Sequence, residues 1–230
     1  VDVAPGDRDP VDVLLVFDHS GSTQGPTLQR LRESALAVLD TLGASDRAGL
    51  MVFNHRLGFD VPFGEHERLR QEVRTLEAES STALLDAVSA AFTVSGGNTR
   101  RTVILLFTDG TDTLSWMPED LVLQQARSAD AVLYVVAMRP RDVSYREVER
   151  SDAQLRALSE GSGGRLLRAS GPEQLRARFL EVLEEMRARY VLTYAATDGD
   201  RPGWHEVSVR LKRRAGRVTA RAGYTVPAAP

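Results

Sequence analysis

The stretch from Val11 to Gly43, VDVLLVFDHSGSTQGPTLQRLRESALAVLDTLG, decides the fold. Val11 to Phe17 is apolar apart from Asp12, with β-branched valine at three of its seven positions, and has the length of a strand buried on both faces. It stops at Asp18, and Asp18 to Gly25 (DHSGSTQG) has the small, polar composition of a loop. After Pro26, apolar residues recur at helical spacing at Leu28, Leu31, Ala35, Leu36, Val38, Leu39 and Leu42. Gly43 suits the end of that helix. A buried strand, a polar loop and an amphipathic helix form one unit of an α/β protein.

The same grammar repeats along the chain. Gly49–Phe53 reads as a short strand, and Leu57–Phe63 as an extended or irregular piece broken at Pro62. Glu67–Ala78 and Ala83–Val94 read as helices, the second stopped by Gly96 and Gly97. Thr102–Thr108 (TVILLFT) and Ala131–Ala137 (AVLYVVA) are two further buried strands. A helix over Glu119–Ala129 lies between them, with Pro118 suited to its first turn. Asp152–Glu160 reads as a helix, Arg165–Arg168 as a short strand and Pro172–Arg187 as a last amphipathic helix. Buried strands alternating with helices predict a doubly wound, mostly parallel central sheet flanked by helices, a Rossmann-like α/β fold. Beyond about residue 188 the pattern alternates with period two over Tyr190–Ala195, Glu206–Leu211 and Arg217–Tyr224, which predicts antiparallel strands. The expected organisation is a linker over residues 1–10, an α/β domain over 11–188 and a C-terminal β appendage over 189–227. The appendage is expected to pair with the sheet edge or with an upstream domain.

Composition narrows the function. The net charge of −3 lacks the basic excess of a nucleic-acid or anionic-membrane surface. With no cysteine, disulfides, thiolate metal sites and cysteine nucleophiles are excluded. No apolar run reaches the roughly 18–20 residues of a membrane span. No signal peptide is visible, although the chain begins at Val1 rather than methionine, as a trimmed or processed form would.

Ligands of an open α/β sheet bind beyond the carboxyl ends of its strands. Three distant segments are expected at that edge: Asp18-His19-Ser20-Gly21-Ser22, Ser80-Ser81-Thr82 and Thr108-Asp109-Gly110. They supply two carboxylates and several hydroxyls, hard oxygen donors suited to Mg²⁺, Mn²⁺ or Ca²⁺. With few carboxylates the ion stays electrophilic, so an Asp or Glu of a partner protein can complete its shell.

Plainer roles exist for each segment. Asp18, Ser20 and Ser22 are residue types that cap helices, Thr82 stands where the Ala83 helix needs an N-cap, and Asp109-Gly110 suits a turn. Asp86 is expected to cap or pair, Asp112 to be exposed near the site, and His19 to point outward. Trp116 and Met117 are expected either at the rim of the site or in the core.

D-x-S-x-S after the first strand, Thr82 in STALLDA and Asp109 in FTDG resemble the metal-ion-dependent adhesion site of the von Willebrand factor A family. The resemblance covers Val11 to Arg187. Position by position, Asp18, Ser20, Ser22, Thr82 and Asp109 match the five ligating positions. It implies that the serines, and often the threonine, touch the ion directly, while the aspartates act partly through water. It also implies a binding or adhesion module rather than an enzyme, in which capture of a partner can shift the last helix. The tail segments YVLTYAA, GWHEVSVRL and VTARAGYTV resemble the ending of the VWFA-related acidobacterial proteins, a bacterial group. That likeness implies an export signal, an upstream β domain and an extracytoplasmic or secreted setting.

Three rival readings stand beside this one. A metal-independent interaction domain would use the same fold. A haloacid-dehalogenase-type phosphohydrolase needs D-x-D-x-T after its first strand, and here Ser20 occupies the place of the second aspartate. A serine hydrolase needs serine at the centre of G-x-S-x-G, where Gly21–Gly25 carries Thr23. No phosphate-binding glycine motif of either common type is present.

Overall fold

A strand that is apolar on both faces requires cover on both faces, and the computed structural model of the protein has that arrangement. It describes the chain except residues 7–8, 79–80, 97–99, 110–111, 140–142, 194–200, 213–217 and 227–230. In chain order the elements are β1 (Asp2–Pro5), β2 (Val11–Asp18), α1 (Pro26–Thr41), β3 (Arg47–Phe53), β4 (Leu57–Val61), α2 (His66–Thr75), α3 (Leu84–Ser95), β5 (Arg101–Thr108), α4 (Glu119–Ser128), β6 (Val132–Met138), α5 (Tyr145–Gly161), β7 (Leu166–Ala169), α6 (Leu175–Arg187), β8 (Tyr190–Thr193), β9 (Gly203–Glu206) and β10 (Gly223–Val226).

The central sheet has six strands in the order β4-β3-β2-β5-β6-β7. All neighbours are parallel except β4, which runs antiparallel to β3. The chain builds outward from β2 to β4, then returns to β5 on the other side of β2. The strand order therefore reverses between β2 and β5, and the loops that follow these two strands leave the sheet side by side.

Side chains of β2 alternate between two core layers. Val13, Leu15 and Phe17 pack with Leu31, Val38, Leu69 and Phe179 under α1, α2 and α6. Leu14 and Val16 pack with Leu84, Val88, Val122 and Leu155 under α3, α4 and α5. Each such fully buried side chain stabilises the fold by about 1.5–3 kcal/mol. Phe17 also stacks on Phe179 of α6, with ring centroids 6.0 Å apart.

Four sequence expectations differ from what is observed. The stretch read as a linker contains β1, which pairs antiparallel with β8 in the register Asp2↔Thr193 to Pro5↔Tyr190. Its side chains are exposed, so no burial pattern marks it. The helix expected from Asp152 begins at Tyr145, because Ser144 and Glu147 form a reciprocal capping box. The last helix starts at Leu175, after a single 3-10 turn over Pro172–Gln174. Among the described residues the tail does not pair with the edge of the central sheet: β8 pairs with β1, and β9 pairs with β10 to make a separate ribbon. That ribbon rests near α4, where the Arg127 guanidinium lies 5.8 Å from the centre of the Trp204 ring. The turns expected at 198–203 and 213–216 lie largely outside the described residues.

A polar network ties α6 to the sheet. The buried Tyr134 hydroxyl of β6 donates to Glu185 Oε1 at 2.7 Å. Arg165 donates to Glu185 at 2.6 Å and to Glu181 at 2.7 Å. The bond from Arg165, with help from Arg178, holds the Glu181 carboxyl below its ordinary range. Burial pushes Glu185 up, but bonds from Tyr134, Arg165 and Arg189 outweigh it and the net shift is down. Carboxylates held low stabilise the fold above their ordinary range and lose that contribution as the pH falls through their folded values. Tyr134→Phe is expected to cost about 1 kcal/mol at neutral pH. The difference from wild type should shrink in urea titrations run below the ordinary carboxylate range.

Candidate metal centre

Asp18 is the last residue of β2, and Phe17 pairs with Phe107 of β5, so Asp18 stands level with Thr108. Thr108 Oγ1 donates to Asp18 Oδ2 at 2.7 Å, and the Ser20 amide donates to Asp18 Oδ1 at 3.0 Å. The backbone then makes a 3-10 turn over Gly21–Thr23. Thr23 closes it, with its hydroxyl donating to the Ser20 carbonyl at 2.8 Å. This turn brings Ser20 Oγ and Ser22 Oγ to 3.0 Å, and Ser22 Oγ donates to Asp109 Oδ1 at 2.8 Å. Adjacency of β2 and β5 is what joins residues 87 positions apart.

Four of the five expected ligands thus form one hydrogen-bonded cluster. Thr82 reaches the same edge through its backbone. The following amide, Ala83 N, donates to the Asn54 carbonyl just past β3 at 2.7 Å. The Thr82 carbonyl accepts from the amides of Thr113 and Leu114 at 3.1 and 3.2 Å. Thr82 is buried, as are Asp18, Ser20 and Asp109, while Ser22 sits at the exposed rim. Ser80 and Gly110 lie outside the described residues.

The plainer reading of Thr82, as an N-cap, is not observed. The N-cap of α3 is Ala83, with no side-chain cap. Asp112 supplies that function from across the fold: its Oδ1 accepts from the Leu84 and Leu85 amides at 2.8 and 3.4 Å. Asp86 also acts outside its own helix, accepting from the amides of Trp116 at 3.0 Å and Met117 at 2.8 Å. The two carboxylates fasten the loop after Asp109 onto the start of α3. Sequence reading gave neither this role, because the partners are remote. His19 turns away from the oxygen cluster, its Nδ1 lying 2.7 Å from the Glu77 carbonyl.

The chemistry of this set fits a divalent cation. Asp18 is fully enclosed. Burial pushes its carboxyl above the ordinary range, against the lowering effect of bonds from Ser20 and Thr108. Its negative charge is therefore poorly compensated, and a cation would offset that cost. Oxygens 2.8 and 3.0 Å apart also have the spacing of adjacent ligands around an octahedral ion with bonds of about 2.1 Å. Among the described residues no group of three or more His, Asp or Glu side chains could hold a metal. The side chains that meet in this cluster are the hydroxyls of Ser20, Ser22 and Thr108 and the carboxylates of Asp18 and Asp109.

Comparison with known proteins agrees with the fold. The uncharacterized protein sll0103 of Synechocystis sp. is 31% identical over 111 residues, which cover 45% of this chain and 26% of that protein. A von Willebrand factor type A structure from Catenulispora acidiphila superposes with a TM-score of 0.64 at 18% identity, covering 78% of this chain and 43% of that one. The vWF domain of the type V pili tip protein Mfa5 from Porphyromonas gingivalis superposes with a TM-score of 0.61 at 14% identity, covering 83% and 99%. The chain thus spans about a quarter of the Synechocystis relative and under half of the Catenulispora chain. The sequence model of the von Willebrand factor type A domain matches residues 12–178, most of the α/β unit, and the chain belongs to that family.

Proposed function

We propose that this domain is a metal-dependent protein-binding module. In this reading Asp18, Ser20, Ser22, Thr82 and Asp109 hold one divalent cation, Mg²⁺ or alternatively Mn²⁺ or Ca²⁺, and an Asp or Glu of a partner protein completes the site. Domains of the family commonly serve as interaction or adhesion modules. The observation that carries the proposal is the convergence of the enclosed Asp18 with Ser20, Ser22 and Asp109 at the carboxyl edge of the sheet.

A cation bound there supplies a positive centre for an incoming carboxylate oxygen. The chain's own residues do the rest. Asp18 provides charge from below, held in orientation by Thr108 and the Ser20 amide. The serine hydroxyls are neutral donors and leave more of the ion's charge for the partner than a shell of carboxylates would. Ser22, at the rim, lies where the partner must approach. The Mfa5 neighbour is a pilus tip protein, and an extracytoplasmic setting is proposed on that likeness. No described helix is long and apolar enough to cross a membrane.

The test is thermal unfolding of metal-stripped protein with and without each cation. A ligand at 100 times its Kd stabilises the folded state by about 2.7 kcal/mol, which is a rise of several degrees for a domain of this size. Such a rise with at least one of the three ions is expected. Identical melting with all three would count against the site.

A further inference from the structure

Thr82 stands just ahead of α3 and belongs to no helix or strand. Its backbone is gripped instead by the loop that follows Asp109. The Thr82 carbonyl accepts from the Thr113 and Leu114 amides at 3.1 and 3.2 Å, and from the Thr113 hydroxyl at 3.0 Å. The Thr82 amide donates to that same hydroxyl oxygen at 3.3 Å. One side chain, Thr113, thus closes on both backbone groups of a buried residue while lying exposed itself. On the other side, the Ala83 amide ties the segment to the Asn54 carbonyl.

The same loop is fastened to the head of α3. Amides there have no partner within the helix, and the loop supplies them. Asp112 accepts from the Leu84 and Leu85 amides, and Ser115 Oγ accepts from the Asp86 amide at 3.1 Å. In return the Asp86 carboxylate accepts from the Trp116 and Met117 amides. These bonds make one body of the segments that carry Thr82 and Asp109. Asp18, Ser20 and Ser22 belong to a different loop, the one after β2, and the two bodies meet at the bond from Ser22 Oγ to Asp109. Where Thr82 lies relative to Asp109 is therefore set by the loop after Asp109, and within that loop the side chain that touches Thr82 is Thr113.

We infer that Thr113 is a positioning residue of the metal centre: its hydroxyl fixes Thr82 relative to Asp109, so that both face the cation at a preset separation. The inference rests on the metal-binding reading of Thr82 and Asp109. Thr113 does not ligate the ion; it acts through Thr82. Groups that orient metal ligands typically contribute 10–100-fold to affinity. With the Thr113 and Leu114 amides and the Ala83 bond left in place, loss of this one hydroxyl belongs at the lower end of that range.

The test titrates Mg²⁺, Mn²⁺ and Ca²⁺ into the metal-stripped chain by calorimetry, well below its melting temperature. Thr113→Val keeps the shape and removes the hydroxyl, and should bind the preferred ion about tenfold more weakly. Thr113→Ser keeps the hydroxyl and should recover most of that affinity. Ser115→Ala breaks a bond between the same loop and α3 without touching Thr82, and should weaken binding by clearly less than Thr113→Val. Amide hydrogen exchange in the metal-free protein supplies a readout that needs no cation: the Thr82 amide should exchange faster in Thr113→Val and not in Thr113→Ser. Wild-type affinity in Thr113→Val would overturn the inference and leave the metal centre standing. No recovery in Thr113→Ser, an equal loss in Ser115→Ala, or unchanged exchange of the Thr82 amide would overturn it as well, by assigning Thr113 to loop packing. A wild-type chain that binds none of the three ions would remove the metal-binding reading, and this inference with it.

Discussion

Asp18→Asn is expected to weaken divalent-cation binding by about 100-fold while making the metal-free protein more stable. Loss of a supporting group around a metal typically costs 10–100-fold in affinity, and Asp18 contributes charge as well as orientation. The opposite effect on stability follows from burial. The carboxylate is enclosed and its ionised form is disfavoured, so at pH values above its raised folded pKa it detracts from folding. Asparagine keeps the shape. Its Oδ1 can accept from the Ser20 amide, and its Nδ2 can donate to Thr108 Oγ1 in place of the bond that Asp18 accepts. Removing the buried charge should contribute on the order of 1 kcal/mol, a rise of a few degrees in melting temperature. In saturating cation the order should invert, with wild type the more stable. A variant less stable than wild type in both conditions would mean that Asp18 is chiefly structural.

Phe17→Ala should produce the largest loss of stability, about 3–5 kcal/mol, read as a lower urea midpoint at unchanged slope. Phe17 has no exposed surface, stacks on Phe179, and is the last apolar residue before Asp18. The cavity opens between β2 and α6, below the oxygen cluster. Metal affinity should therefore fall too, yet by less than in Asp18→Asn, because every oxygen donor remains. A cost below about 1 kcal/mol would imply that α6 collapses onto the sheet, and would show a more yielding core than the packing indicates.

The sheet was legible where burial writes the sequence. Val11–Phe17, Thr102–Thr108 and Ala131–Ala137 are apolar runs whose only explanation is cover on both faces, and each became a central strand. β1 was hidden because nothing buries it; its exposed side chains carry no period. The first two turns of α5 were hidden for a related reason. Their sequence, YREVERS, is mostly charged, and only the pair Ser144 and Glu147 marks the start. The appendage alternates in sequence without being buried on one face, so its register could slip, and β9 begins at Gly203 rather than Glu206.

That Asp18, Ser20, Ser22 and Asp109 meet at one edge of the sheet was legible from their places at strand exits, since the topology of such a sheet decides which loops adjoin. The work of Asp86 and Asp112 was not. Each binds backbone amides 27 to 31 positions away, and no local pattern reports a bond of that span. Trp116 could be narrowed only to rim or core; its exposure places it at the surface.

The most direct test of the central claim is calorimetric titration of Mg²⁺, Mn²⁺ and Ca²⁺ into metal-stripped protein, with Asp109→Ala beside it. Saturable binding of one ion per chain by at least one cation, lost in the variant, is the expected result. No saturable binding by any of the three, or binding that Asp109→Ala leaves unchanged, would contradict a metal centre at these residues.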